Sequence, residues 1–245
     1  MGPTARTLLM LGSGEFEPWV EGAERAALER ATGDGSVLVV PTASAAEGRE
    51  VFDRWGRMGL DHYGSLGIPA RVLPVETRDD AMRDDLAGEV DRASMVFFSG
   101  GKPQHLASVV VGTPFWSAVL QAVDRGAVYG GCSAGAMAAS QSRDQRAARG
   151  GVGTGWVFGL GLVPHVSFAV HWDRVRFVPG IRPFVMSRIP HDTWFVGIDE
   201  RTATLGDGVR WEVFGAGTVT VRHARSTVTY AAGRTFETSD GVGAR

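Results

Sequence analysis

Tyr129-Gly-Gly-Cys-Ser-Ala-Gly-Ala136 gives the strongest indication of how this chain folds. It begins inside the short apolar run Ala127-Val-Tyr129 and continues into small residues that favour a helix starting near Ala134. A strand, a tight glycine turn and a helix in this order are the context of a nucleophile elbow, in which Gly131-x-Ser133-x-Gly135 holds the reactive side chain. The glycines leave room for a strained backbone that points the Ser133 oxygen out of a sheet. The stretch therefore predicts a catalytic serine on an α/β scaffold, although a tight glycine turn with a capping serine has the same pattern.

Two neighbouring residues of this turn are candidate nucleophiles. The residues two positions before and after Ser133 are both glycines. For Cys132, the residue two positions after it is Ala134. Register therefore favours Ser133, and Cys132 is then the buried last residue of the strand, which is a common position for a single cysteine. The alternative is a thiol enzyme with Cys132 as the nucleophile, as in the class I glutamine amidotransferases.

Short apolar runs alternate with longer amphipathic stretches over the first 140 residues. Continuous apolar runs, rather than strict alternation, are typical of strands buried on both faces. The alternation with helical stretches predicts an α/β fold with a parallel sheet flanked by helices on both faces. The runs are Leu8–Leu11, Val37–Val40, Arg71–Val75, Ser94–Phe98 and Ala127–Tyr129.

The pattern changes after about residue 149. Val166–Val170 and Trp194–Ile198 still have the composition of core strands. From Thr202 onward, short alternating segments separated by glycines indicate C-terminal antiparallel strands with tight turns. We therefore expect one α/β domain over residues 1–245, with a parallel core over about 1–200 and an antiparallel appendage over 201–245.

Composition and charge exclude several classes of protein. The chain has 245 residues, 44% of them hydrophobic, and its 25 basic and 27 acidic residues leave a formal charge of -2. Such a chain is neither disordered nor a typical nucleic-acid binder, and it offers no basic run to a membrane surface. One cysteine excludes a disulfide framework within the chain and a cysteine-built zinc site. The sequence has no apolar stretch long enough for a membrane span and no signal peptide, so we expect a cytoplasmic protein. We also expect a monomer or homodimer that uses no metal or cofactor.

A base and an acid for Ser133 should follow other strands, because catalytic groups gather at the carboxyl ends of parallel strands. His171 directly follows Val166–Val170, whereas His165 opens that strand and lies at the far edge. Asp199 and Glu200 both follow Trp194–Ile198. Adjacent residues at a strand end point in opposite directions, so only one of these acids can face the site.

Asp144, which follows the elbow helix, is a rival for this role. The positions of Asp144, Asp199 and Glu200 in the sequence do not show which of them orients the histidine.

The chain resembles the dipeptidase E and cyanophycinase family of serine peptidases. The resemblance covers about Leu8 to Leu205 and is carried by motifs in the family's order. It implies a class I glutamine amidotransferase-like fold of the flavodoxin-like type. The motifs are Leu9-Met-Leu-Gly-Ser-Gly14, Val39-Val-Pro-Thr-Ala-Ser44, Phe98-Ser-Gly-Gly-Lys-Pro-Gln-His-Leu106, Gly131-Cys-Ser-Ala-Gly-Ala136, Gly159-Leu-Gly-Leu-Val-Pro164, His171-Trp-Asp-Arg174 and Gly197-Ile-Asp-Glu-Arg-Thr-Ala203.

The resemblance also implies roles for individual residues. Ser133 is the expected nucleophile, His171 the base and Glu200 the third member of the triad. The oxyanion hole is expected to consist of the N–H groups of Gly101 and Ala134. The family chemistry requires no metal and no cofactor.

Substrate binding is expected to involve Gln104 and Arg174. Gln104 matches the family glutamine that holds the substrate, although Lys102-Pro103 lengthens the turn before it by one residue. An arginine near the histidine suits an aspartyl carboxylate, and Arg176 is a second candidate besides Arg174. The cyanophycinase branch carries Asp-Gln just before its histidine, where this chain has Ala169-Val170.

These features predict hydrolysis of small aspartyl peptides at the Asp-Xaa bond through an acyl-enzyme on Ser133. Cyanophycinase-like hydrolysis of β-Asp-Arg is an alternative. A protein that binds a small acidic ligand without catalysis and a Cys132-dependent enzyme are two further alternatives.

Overall fold

A computed structural model describes residues 6–140, 159–175, 177–189 and 192–239. The strands of this part of the chain are β1 Thr7–Leu11, β2 Val37–Val40, β3 Ala70–Val72, β4 Met95–Phe98, β5 Val128–Cys132, β6 Val166–Ala169, β7 Trp194–Ile198, β8 Thr202–Gly206, β9 Arg210–Gly215, β10 Thr218–His223, β11 Ser226–Ala231 and β12 Thr235–Glu237. Its α-helices are α1 Glu21–Leu28, α2 Arg49–Ser65, α3 Arg78–Ala81, α4 Asp84–Gly88, α5 Pro103–Val110, α6 Pro114–Asp124, α7 Ala134–Ala138, α8 Trp172–Val175 and α9 Ile181–Arg188.

The larger sheet has eight strands in the order β12-β9-β8-β1-β5-β4-β2-β3. The five strands β3, β2, β4, β5 and β1 run parallel, as the apolar runs of the sequence predict. On the other side of β1, β8 pairs antiparallel with it, and β9 and β12 continue the sheet. The predicted class, a parallel sheet with C-terminal antiparallel strands, is confirmed.

Each face of this sheet is covered, because successive residues of a strand point to opposite faces. Leu9 and Leu11 of β1 pack in a cluster with residues of α1 and α2. Leu8 and Met10 pack on the opposite face, in a cluster that includes residues of α4, α5, α6 and α7. Helices therefore lie on both faces, and this explains why the parallel strands are apolar at nearly every position.

A second sheet of four strands, in the order β11-β10-β7-β6, packs on the same face as α5 to α7. The rings of Phe168 in β6 and Trp211 in β9 meet across the two sheets with centroids 5.6 Å apart. The predicted strands at 166–170 and 194–198 therefore pair with each other, as β6 and β7, instead of extending the larger sheet. The segment after residue 201 is shared between the two sheets, because β8 fills the free edge of β1 while β10 pairs with β7.

The parallel strands β4 and β5 end side by side, with Phe98 opposite Gly131 in the register. The turns that follow them contain Gly101 and Ser133, so these residues meet at one edge of the sheet. Within the part of the chain that the structure describes, no single helix is long and apolar enough to cross a membrane; only α5 and α6 taken together, bent by 97°, meet that criterion of length and composition.

Candidate active site

The turn between β5 and α7 has the strained backbone of a nucleophile elbow. Ser133 adopts φ 48° and ψ −104°, a backbone conformation that residues other than glycine rarely adopt. A Cβ added at Gly131 would lie 2.6 Å from the carbonyl carbon of Gly135, and one added at Gly135 would collide with the carbonyl oxygen of Phe98. Both flanking positions therefore require glycine, and the strain at Ser133, on the order of 1–3 kcal/mol, is held by the surrounding packing.

Three side chains from separate elements form a hydrogen-bonded series at this edge. Ser133 Oγ lies 3.1 Å from His171 Nε2, and His171 Nδ1 lies 3.2 Å from Glu200 Oε1. His171 follows β6, and Glu200 lies on the connection from β7 to β8. A nucleophile in contact with a base that is oriented by a carboxylate is the arrangement of serine hydrolases. The structure thus brings the three predicted residues together, while their roles in catalysis stay predictions.

The two neighbouring acids at the end of β7 point to different partners. Asp199 Oδ2 accepts hydrogen bonds from the Thr218 backbone N–H at 3.0 Å and from its hydroxyl at 2.7 Å. Glu200 faces His171 instead. The opposite orientation of adjacent residues, expected from the sequence, leaves Glu200 as the acid beside the histidine. Asp144, the rival acid, lies outside the described residues, as does Arg176.

The backbone around the predicted oxyanion hole also requires close approach. Gly101 has φ +138°, and a Cβ there would collide with the carbonyl group of Ala43. Ala134 is the first residue of α7, so its N–H has no carbonyl partner within the helix. The two N–H groups belong to the turns after β4 and β5, which end side by side.

Glu15 is a buried part of the site that the sequence analysis missed. Its side chain accepts a hydrogen bond from the Gly100 N–H at 2.7 Å and another from Cys132 Sγ at 2.8 Å, and the residue is only 5% exposed. It therefore connects the turn before Gly101 to the residue before Ser133. The available signal was an acidic residue directly after the glycines that end β1, at the carboxyl edge of the sheet.

Cys132 has an environment that disfavours its thiolate form. The residue ends β5 and is completely buried, as predicted for the serine interpretation. Burial raises the pKa of the Cys132 thiol well above its usual value, and the negative charge of Glu15 raises it further. Since the thiolate is the reactive form of cysteine, this environment argues against Cys132 as the nucleophile.

A pocket of about 420 Å³ opens beside Ser133 and His171. Gln104 and Arg174, the two predicted substrate-binding residues, both line it. Arg174 Nε also donates to Glu200 Oε2 at 2.9 Å, and this hydrogen bond raises the pKa of the guanidinium. Arg174 therefore holds the Glu200 carboxylate in addition to lining the pocket.

Asp173 was not predicted as a site residue, yet its carboxylate accepts the Glu200 backbone N–H at 2.9 Å. The described ranges of the chain contain no group of three or more His, Cys, Asp or Glu side chains that could hold a metal ion.

Comparison with known proteins places this site in a family. The family model of Peptidase family S51 matches residues 8–211, which include every residue of the hydrogen-bonded series. The chain belongs to peptidase family S51. The S51 assignment agrees with the family that the sequence motifs indicate.

Curated proteins similar to this chain include cyanophycinases. The cyanophycinase of Synechococcus elongatus is 32% identical over 205 residues, covering 79% of this chain and 60% of that protein. The cyanophycinase of Geminocystis herdmanii is 28% identical over 197 residues, covering 77% of this chain and 69% of the relative. The chain thus spans about 60% of the length of the first of these relatives.

Solved structures show the same architecture. A peptidase from an acI-B1 Actinobacterium superposes with a TM-score of 0.84 at 27% identity, covering 97% of this chain and 98% of the other. A putative peptidase E protein from Listeria monocytogenes gives a TM-score of 0.58 at 17% identity, covering 93% of this chain and 98% of the other, which shows a shared fold.

Proposed function

We propose that this member of family S51 is a serine peptidase that cleaves small peptides through an acyl-enzyme on Ser133. The observation that carries the proposal is the continuous series from Ser133 Oγ through His171 to Glu200, at the edge of a pocket that a small substrate can enter. Family membership supports the same chemistry.

In the proposed mechanism, His171 moves one proton in each step. A carboxylate only accepts, so Glu200 favours the tautomer of His171 that carries its proton on Nδ1 and leaves Nε2 free to accept. Nε2 takes the Ser133 proton as Oγ attacks the substrate carbonyl carbon, and it then gives that proton to the leaving amine. Water hydrolyses the resulting ester, with His171 again as the base.

The negative charge that develops on the substrate carbonyl oxygen needs donors. In this proposal they are the N–H groups of Gly101 and Ala134, which are fixed before the reaction because both belong to the backbone. Glu200 stabilises the imidazolium form of His171 during attack.

The substrates that we propose are aspartyl peptides cleaved at the Asp-Xaa bond. The resemblance to dipeptidase E supports this choice, and Arg174 offers a guanidinium at the pocket to the aspartyl carboxylate. Hydrolysis of β-Asp-Arg is a second candidate, supported by the identity of 32% to a cyanophycinase.

A fluorophosphonate probe, which reacts with activated serines, tests the proposal together with a panel of Asp-Xaa and β-Asp-Xaa dipeptides. We expect labelling in the wild type and in Cys132→Ala, and no labelling in Ser133→Ala. Peptide turnover in Ser133→Ala should fall on the order of 10⁴-fold or more. Turnover retained in that variant contradicts the proposal, and a wild type that binds dipeptides without labelling or turnover is a binding protein.

A further inference from the structure

One side of the pocket beside Ser133 is a surface of aliphatic side chains. We call it the apolar wall. Its residues come from α7, from the position after β6, from α8, from the segment between α8 and α9, and from the start of α9, so distant parts of the chain build it together. The apolar wall consists of Met137, Val170, Val175, Val178 and Ile181.

The inner part of the apolar wall is fixed by the core of the protein. Met137 and Val170 belong to the large hydrophobic cluster between the two sheets, and Val175 belongs to the cluster under α8 and α9. The outer part is open, because Val178 is 56% exposed at the mouth of the pocket. An exposed valine continuous with a buried apolar surface, next to a reactive serine, is typical of a site for an apolar ligand group.

The charges around the pocket disfavour a cationic side chain there. Among the described residues that line it, none is acidic, and Arg174 is the one permanently charged side chain. Its guanidinium is paired with Glu200 and lies 3.7 Å from Asp173, so the carboxylates nearest the pocket already have a cationic partner. A lysine or arginine side chain of a substrate would lose water against the apolar wall without gaining a partner, which is costly. An aliphatic side chain gains free energy from the same burial.

We infer that the apolar wall receives an aliphatic side chain next to the scissile bond. This inference rests on the proposed function, since it takes Ser133, which lines the same pocket, as the position of that bond. Among aspartyl dipeptides, Asp-Leu is then preferred over Asp-Arg. Burial of most of a leucine side chain corresponds to a preference of about 10-fold or more in the dissociation constant.

The test measures binding without turnover. Asp-Leu and Asp-Arg are titrated into Ser133→Ala by calorimetry, and we expect Asp-Leu to bind about 10-fold more tightly or better. In the double variant Ser133→Ala with Val178→Glu, a carboxylate stands at the mouth of the pocket. This double variant should bind Asp-Leu more weakly and Asp-Arg more tightly. Because Val178 is exposed, the substitution leaves the core intact.

Val209→Glu in the same background is the matched control. Val209 is also an exposed valine, at 38%, but it lies in the turn between β8 and β9. Gly206 at that end of β8 pairs with Leu8, so the turn is at the edge of the sheet opposite the elbow. The control should keep the preference of Ser133→Ala.

The outcomes separate this inference from the proposed function. Equal binding of the two dipeptides, no measurable binding of Asp-Leu, or an unchanged preference after Val178→Glu overturns the inference, even where the fluorophosphonate probe labels Ser133. A wild type that neither labels nor turns over any dipeptide contradicts the peptidase, while the preference of the pocket for Asp-Leu is measured all the same.

Discussion

Glu200 is held on three sides by its neighbours. Its Oε1 faces His171, its Oε2 accepts from Arg174, and its backbone N–H donates to Asp173. A side chain with this many fixed contacts orients the imidazole with little freedom, which is the role that an acid plays in a serine-histidine pair.

We therefore expect Glu200→Gln to lower kcat by roughly 10²–10⁴-fold with little change in KM, because the amide favours the wrong tautomer of His171. Asp199→Asn is the matched control and should stay close to wild type, since Asp199 bonds to Thr218 instead. Steady-state kinetics on Asp-Xaa dipeptides measures both, with Asp144→Asn as a third variant. If either control loses as much rate as Ser133→Ala while Glu200→Gln remains active, Glu200 is the wrong acid.

Glu15 accepts the N–H of Gly100, next to the predicted oxyanion hole, and we expect it to act as a positioning residue. Glu15→Ala leaves the Gly100 N–H without its acceptor, and we expect kcat to fall by about 10²-fold because donors matter most in the transition state. KM should change little. Glu15→Gln keeps an acceptor for Gly100 and should recover most of the rate.

Glu17→Ala removes a more exposed carboxylate that pairs with Arg201, so it provides the control and should have no effect on kcat. A merely structural role for Glu15 predicts a different pattern: thermal unfolding at lower temperature in Glu15→Ala, with kcat of the folded protein preserved.

The strand β6 places two histidines at its opposite ends. It places His171 directly beyond its carboxyl end, while His165, before its first residue, accepts the backbone N–H of Trp194 through its carbonyl at the opposite end. We expect His171→Ala to lose about as much rate as Ser133→Ala, because nucleophile and base act as a unit. His165→Ala should keep most of its activity in the same dipeptide assay. The reverse order of the two variants would mean that the base is not at this end of β6.

The individual strands were predictable because their signal is local. Val37–Val40 is apolar at every position, and it forms β2 with the same bounds. The pairing of strands was less predictable, since β6 and β7 have the same apolar composition as the parallel strands but form a separate sheet. Which edge a strand joins depends on the free edge of β1 and on side-chain packing between sheets, and neither is encoded in a local run of residues.

The candidate site combines residues that follow strands of both sheets. Ser133 follows β5 of the larger sheet, and His171 follows β6 of the smaller one, so the hydrogen bond between them bridges the two. The sequence predicted the members of this site through motifs at strand ends. Glu15 was missed although its place after the glycines that end β1 was a signal. The apolar wall was not predictable, because it forms only when distant segments pack together.

The contact between Phe168 and Trp211 helps to set the distance between the sheets. Phe168→Leu should cost about 1–2 kcal/mol of unfolding free energy. It should also lower kcat by about 10-fold, since small misplacements of reacting groups are costly. Phe52→Leu, in α2 on the other face of the larger sheet, is also a buried change and should lower stability alone. Urea unfolding and dipeptide kinetics compare the two variants, and equal losses of rate would show that sheet packing does not tune the site.

The Ser133–His171 hydrogen bond joins residues that follow strands of different sheets, so its length depends on how the two sheets pack. If the Phe168→Leu prediction holds, a substitution along the contact between the sheets changes the approach of His171 to Ser133 even where it is distant from the pocket. The rate can then be altered through positions that line neither the pocket nor the hydrogen-bonded series, while Ser133, His171 and Glu200 remain unchanged.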